Sequence, residues 1–395
     1  MDRREIALRM EGLVVFRGLL QDPVVAAFMR MLECGEDKTE QVRRYGAFCA
    51  ALFAHTENWS DYLLETVLQD ENLYVVKSCT APGPGPQLRR CLELELALLE
   101  EVAQLPPAAV LVGMKAHGPM PLWEVSQPDF RAAYAQRMND VSHKGYGVFA
   151  RHHVFTLEDG HLVPVKYPDP QRLEQLPGYE REREKVIANT RALLEGKPAN
   201  NVLLYGDAGT GKSSAIKAIA NEFAPQGLRL VEVKKNQLYQ LPELMDSLAA
   251  NPLKFILFID DLSFTANDDN FAALKAILEG SVGGRSQNLA VYATSNRRHL
   301  IKETMSDRAG DDIHHGDTMQ ELMSLSARFG LTVTFSRPDK ARFTQIVTEL
   351  ASQYGLQMPS DQLMIKAEAF AIRAGGRSPR VAKQFVELCK AGVQL

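Results

Sequence analysis

Apolar residues change their spacing along the chain, and the change divides it. Up to about residue 150 they recur every three to four positions, as in "EQVRRYGAFCAALFAHTENW" and "LRRCLELELALLEEVAQL". That is the period of helices with one buried face. "TAPGPGP" (Thr80–Pro86) cannot continue a helix and reads as an exposed loop. Two short extended runs in "HHVFTLEDGHLVPVKY" flank Asp159-Gly160, a dipeptide suited to a tight hairpin turn. Pro164, Pro168 and Pro170 follow and mark the expected end of an N-terminal domain. From about Gln171, short apolar runs alternate with helical stretches: Asn201–Tyr205, Leu228–Val233, Phe255–Ile259, Leu289–Thr294 and Leu331–Phe335. Strands of this kind, joined by crossover helices, form a parallel sheet covered on both faces. After Pro338 only helical periodicity remains, in "DKARFTQIVTELASQY", "SDQLMIKAEAFAIRA" and "SPRVAKQFVELCKAG". The expectation is a mainly helical domain with a terminal hairpin (1–170), an α/β core (171–337) and a small helical domain (338–395).

Composition changes this picture little. The 395 residues exceed one ordinary domain, and 45% apolar with 24% charged content is that of a soluble globular protein. Net charge is −4; residues 1–170 hold 17 Lys+Arg against 23 Asp+Glu, which speaks against a DNA-binding arm there. Cys34, Cys49, Cys79, Cys91 and Cys389 show no CxxC spacing, so free thiols in a reducing cytoplasm are expected. The opening "MDRREIALRM" has no apolar signal segment, and no run reaches the ~18 residues of a membrane span. A cytoplasmic protein without membrane insertion is expected.

The chemistry begins at "GDAGTGKSS", which matches G-x-x-x-x-G-K-[ST] between a strand and a helix. Gly206, Asp207, Ala208, Gly209, Thr210 and Gly211 would turn backbone N–H groups onto phosphate oxygens at the start of a helix, with Ser214 directly after the motif also expected to bind. Lys212 would reach the β- and γ-phosphates, and the Ser213 hydroxyl would ligate Mg²⁺. "FILFIDDLSF" (Phe255–Phe264) is a buried strand ending in acid. Asp260 at its tip would hold the same Mg²⁺, usually through water. ATPases with a strand tip built this way usually follow the first Asp with a glutamate that activates water; Asp261 stands there instead, and the missing methylene is about 1.5 Å of reach. "ATSNRRHL" puts Asn296 at a neighbouring strand tip, where a neutral amide can orient water or touch the γ-phosphate.

In this order, Gly206–Ser214, Asp260-Asp261, Asn296, "SLSARFGL" and "GGRSPRVA" look like an AAA+ ATPase. "NNVLLYGDAGTGKSS", "DDLSF" and "ATSNRRHL" more narrowly resemble an uncharacterised bacterial AAA+ family known as a domain of unknown function. The resemblance runs from about Leu173 to the C-terminus. It implies a P-loop core with a five-stranded sheet of order 5-1-4-3-2, a helical lid, nucleotide at a subunit interface, and a ring or spiral homo-oligomer. Arg328 matches the arginine finger, which acts on a neighbour's γ-phosphate, with Arg297 and Arg298 as rivals. Arg380 matches the lid arginine that contacts phosphate in its own subunit. "LEQLPGYERER" resembles the segment near the adenine, with Leu176 and Tyr179 as candidates. Paired aspartates also look like those of replication initiators and helicase loaders, and are compatible with slow hydrolysis.

The resulting expectation is an ATPase using ATP and Mg²⁺ to remodel or load a protein or nucleoprotein client held by the N-terminal domain. Lys212, Arg380 and a neighbour's Arg328 would supply charge, while Asp261 and Asn296 would place water. The alternative is a nucleotide-gated loader or adaptor in which ATP/ADP exchange controls binding and slow hydrolysis is a reset. A small-molecule kinase on the same core fits the arginines less well. His152-His153 and His314-His315 lack further ligands at metal spacing and are expected to be solvated loop residues. Asp307–Asp317 reads as a polar loop. Tyr239 lacks the neighbouring glycine of a substrate-threading element.

Overall fold

The computed structural model of the chain describes residues 3–112, 119–263, 269–279, 287–296 and 327–393. They form two compact units, Met1–Arg151 and His152–Leu395, each with its own apolar core.

In the first unit, helices at Pro23–Leu32, Lys38–Phe53, Trp59–Gln69 and Pro86–Ala103 carry the helical periodicity of the sequence. Asp22, Asp37 and Asn58 accept N–H bonds at their starts, satisfying donors that a helix leaves unpaired. Trp59 is fully buried, stacked 4.4 Å from Phe28 with Phe48 edge-on at 5.3 Å, and its Nε1–H donates to Val102 O at 3.0 Å. Buried Glu95 accepts from the N–H groups of Val14, Val15 and Phe16 at 2.8–3.0 Å, bonds that meet the cost of enclosing a carboxylate.

The second unit is built on seven strands: β1 (Val154–Glu158), β2 (His161–Pro164), β3 (Val202–Gly206), β4 (Leu228–Glu232), β5 (Lys254–Ile259), β6 (Leu289–Ser295) and β7 (Leu331–Phe335). Their order is β2-β1-β4-β5-β6-β3-β7. All neighbours are parallel except β1–β2. The five-stranded sheet of order 5-1-4-3-2 expected from the sequence is thus corrected: the hairpin adds two strands outside β4. The domain boundary moves with it. Val154, Phe155 and Thr156 pair with Leu230, Val231 and Glu232, so the hairpin assigned to residues 1–170 belongs to the second unit. Asp159 and Gly160 both take positive φ (48° and 79°) at its tip, as a tight turn demands.

Central strands are buried on both faces; all of Phe255–Ile259 and Leu289–Ser295 is enclosed. Their register fixes the site. Ile259 is level with Ala293 and Tyr205 with Ser295, so the next residues, Asp260 and Thr294, Gly206 and Asn296, meet at one edge. The helix Lys212–Phe223 follows β3 directly. Helices Lys340–Gln353, Ser360–Arg373 and Pro379–Lys390 form the helical subdomain. Asp339 and Ser378 cap the first and last of these. The last buries Val381, Ala382, Phe385 and Val386, the stripe a docked helix presents.

Candidate nucleotide-binding site

A cleft of about 1400 Å³ lies at the carboxyl edge of this sheet, where ligands collect in open α/β sheets. Ala208–Ser214, Asp260, Asp261, Thr294 and Asn296 line one end; Leu176, Tyr179, Leu350 and Tyr354 are on its walls.

The loop after β3 can curl only because glycine occupies three positions. Gly206, Gly209 and Gly211 have φ of 137°, 77° and 91°. A Cβ at Gly206 would stand 2.1 Å from Phe335 O, an impossible contact. Gly209 is approached by the helical subdomain: Arg380 N donates to its carbonyl at 3.1 Å, and a Cβ there would meet Ser378 Oγ and Arg380 Cβ at 3.2 Å. Asp207 is held from two sides, its N–H donating to Phe335 O at 3.1 Å and its Oδ2 accepting from Arg337 N at 2.9 Å. Thr210 Oγ1 donates to Asp207 O at 2.8 Å.

Lys212 is 6% exposed. Its ammonium donates to Gly206 O (2.9 Å), Asp207 O (2.8 Å) and Asn296 Oδ1 (3.0 Å), using all three protons. Burial pushes its pKa below the usual lysine value; Asp207, Asp261 and Asp260 oppose that shift and Arg380 adds to it. Ser213 Oγ donates to Asp260 Oδ1 at 2.6 Å. The same Oδ1 accepts from Thr294 Oγ1 at 2.5 Å and Asp261 N at 3.1 Å. Thr294 Oγ1 in turn accepts from Asp261 N at 2.9 Å. Asn296 Nδ2 donates to Asp261 Oδ1 at 2.8 Å, so its amide bridges Lys212 and Asp261.

Residues 150–393 match the family described as "Protein of unknown function (DUF815)". The chain belongs to this family. The resemblance to an AAA+ family of unknown function, read from the motifs, therefore holds. Over 127 residues this DUF815 protein is 31% identical to the replication factor C large subunit of Staphylothermus marinus, covering 29% of each chain. Over 185 residues it is 25% identical to an AAA-ATPase of Arabidopsis thaliana, covering 38% of each. The chain thus spans about three- to four-tenths of the length of these curated relatives. Among solved structures it is similar to AMPPCP-bound DnaA from Aquifex aeolicus (18% identity, TM-score 0.41) and to RuvB of Thermotoga maritima, a Holliday junction branch migration motor (19%, 0.38). Each alignment covers 57% of this chain and 67% of the other.

The DUF815 site brings together Lys212, Ser213, Asp260, Asp261 and Asn296, with Arg380 on the cleft wall. Arg328 is elsewhere. It precedes β7 by three residues, whereas Phe335 at the other end of β7 pairs with Gly206; five residues of strand, roughly 16 Å, separate it from the loop edge. Arg297, Arg298, His314-His315 and Asp307–Asp317 lie outside the described residues. Tyr179 is buried with φ +63°, stacked 5.3 Å from Phe335 with Arg342 4.8 Å over its ring. Its hydroxyl donates to Ser336 O at 2.5 Å, and burial pushes its pKa up to about 12. His153 is not the solvated loop residue expected, since its Nε2 lies 3.0 Å from Asn221 Oδ1. Thr294 is the site residue that sequence reasoning missed. Within "LAVYAT" it reads as one more β-branched strand former, and only the register shows its hydroxyl between two aspartates.

Proposed function

We propose that the chain is an ATPase of the AAA+ type, binding ATP with its phosphates on Gly206–Ser214 and its base toward Leu176 and Tyr179. The Ser213–Asp260 pair carries the reading: a hydroxyl and a carboxylate 2.6 Å apart, at the start of a helix whose loop offers N–H groups to phosphate. Hard oxygen donors of this kind fit Mg²⁺. Ser213 and Asp260 would hold it, and the ion would neutralise phosphate charge. Lys212 exchanges its two carbonyl partners for phosphate oxygens. Arg380 adds charge from the helical subdomain, and Asp261, oriented by Asn296, accepts a proton from the attacking water. Arg328, at the far end of β7, serves a neighbouring subunit in a ring or spiral. The first unit holds a macromolecular client, protein or nucleoprotein, in the cytoplasm.

A nucleotide-gated loader is the second reading, favoured by one observation. Asn296 ties Asp261 to Lys212, so the amide that orients the base also senses the lysine that meets the nucleotide. An engine accelerates sharply with client, whereas a loader changes client affinity between ATP and ADP. The direct test is Lys212→Ala, which is expected to abolish Mg-ATP binding with an unchanged circular dichroism spectrum. Unaltered affinity would remove the nucleotide reading.

A further inference from the structure

One stretch of the cleft wall is not made of regular structure. Asp169, Pro170, Gln171 and Arg172 line it, between the hairpin and the single turn Leu173–Gln175. A wall without a backbone ladder needs another anchor. Asn221 provides it: Nδ2 donates to Asp169 O at 2.8 Å and to Gln171 O at 2.9 Å. Oδ1 faces His153 Nε2 at 3.0 Å, and the His153 carbonyl is itself fixed by Leu230 N at 2.8 Å. Two carbonyls opposite one nitrogen and an imidazole N–H opposite the oxygen match an uncharged amide. An aspartate would offer only acceptors there.

Asn221 stands on the helix that begins at Lys212. Nine residues at 1.5 Å each place it roughly 13 Å along from the lysine. One rigid rod therefore carries the phosphate loop at its start and the anchor of this wall near its end. We infer that Asn221 is a positioning residue for the base end of the nucleotide, holding the 169–172 wall so that it contacts base and ribose without itself reaching them. The inference rests on the nucleotide-binding reading above.

The test measures the affinity of the full chain for Mg-ATP and for inorganic tripolyphosphate, which has no base. Asn221→Asp keeps the volume but turns both donors into acceptors. It is expected to weaken Mg-ATP about tenfold, from two lost hydrogen bonds, with tripolyphosphate affinity and the turnover at saturating ATP nearly unchanged. Asn221→Gln keeps the amide and recovers part of the loss; His153→Ala keeps both donor bonds and shifts affinity less. Equal losses for ATP and tripolyphosphate would mean that the whole phosphate helix had moved, and would overturn the inference. So would unchanged ATP affinity in Asn221→Asp, or a Gln variant as impaired as the Asp one. Wild type binding neither ligand would overturn the nucleotide reading and this inference with it, a result distinct from the others.

Discussion

Asp261 has a φ of +50°, a left-handed conformation that Asp and Asn tolerate far better than most residues. This gives a physical reason for a short acid at this position. A glutamate gains reach but loses the local fit, and the strand tip is already pinned by Thr294 and the Asp260 carboxylate. The two acids should separate by function. Asp260→Ala is expected to weaken Mg-ATP binding. Asp261→Asn, which suits the same backbone, should bind normally and turn over ~10²–10⁴-fold more slowly if Asp261 is the base. Equilibrium binding and single-turnover assays distinguish these, and equal turnover in Asp261→Asn would pass the role to another group. Lys212 adds a pH signature. Its folded pKa is lowered, so between that value and the usual lysine range the native state binds fewer protons than the unfolded state. Stability of the ligand-free protein should therefore rise with pH through that window. Denaturant titrations should show the rise in wild type and its loss in Lys212→Met.

At the scale of elements, the tip of β6 acts as a bracket for the tip of β5. Thr294 donates to Asp260 and accepts from Asp261; Leu262 N then donates to Thr294 O at 2.7 Å. Thr294→Val keeps shape and β-propensity but removes the hydroxyl from between the two aspartates, leaving Asp260 Oδ1 with Ser213 and Asp261 N, and Asp261 N with Asp260 alone. It is expected to lose about 1 kcal/mol of stability and to raise the Mg²⁺ concentration needed for half-maximal ATP binding. Thr294→Ser should restore the Mg²⁺ dependence. A Val variant with wild-type Mg²⁺ dependence would reduce Thr294 to packing. The strands themselves were legible because buried parallel strands are short apolar runs, and each expected run lies within a residue or so of the observed one. The loop was legible because glycine, lysine and serine at that spacing leave few alternatives. Thr294 and Asn221 were not legible. Their chemistry comes from partners 34 and 50–52 residues away, and nothing in the local pattern marks them. The hairpin is legible as a hairpin from Asp159-Gly160 and its two flanking runs. Its place in the sheet depends on pairing with a strand some 76 residues later, which periodicity cannot report.

At the scale of the whole molecule, the position of Arg328 makes assembly the issue. If it serves a neighbour, Arg328→Ala should bind ATP nearly normally yet hydrolyse it ~10³–10⁵-fold more slowly. Mixing it with Lys212→Ala joins an intact loop to an intact arginine at some interfaces, and part of the activity should return. No recovery in mixtures shown by sizing to co-assemble would count against Arg328, and Arg297 and Arg298 would be tested in the same scheme.

The hairpin has a further consequence, for self-association. β1 covers the outer edge of β4, four of whose five residues are buried, and β2 ends the sheet with a four-residue antiparallel strand closing on Pro164. A short edge with a proline offers little to a second chain. A fragment beginning at Gln171, where the run of prolines suggests a cut, would strip that cover and present Leu228–Glu232 as an open template for intermolecular pairing. A fragment beginning at His152 keeps it. The shorter piece should precipitate or form thioflavin-positive aggregates under conditions where the longer one stays dispersed, so nineteen residues outside the nucleotide motifs decide whether the sheet recognises only itself.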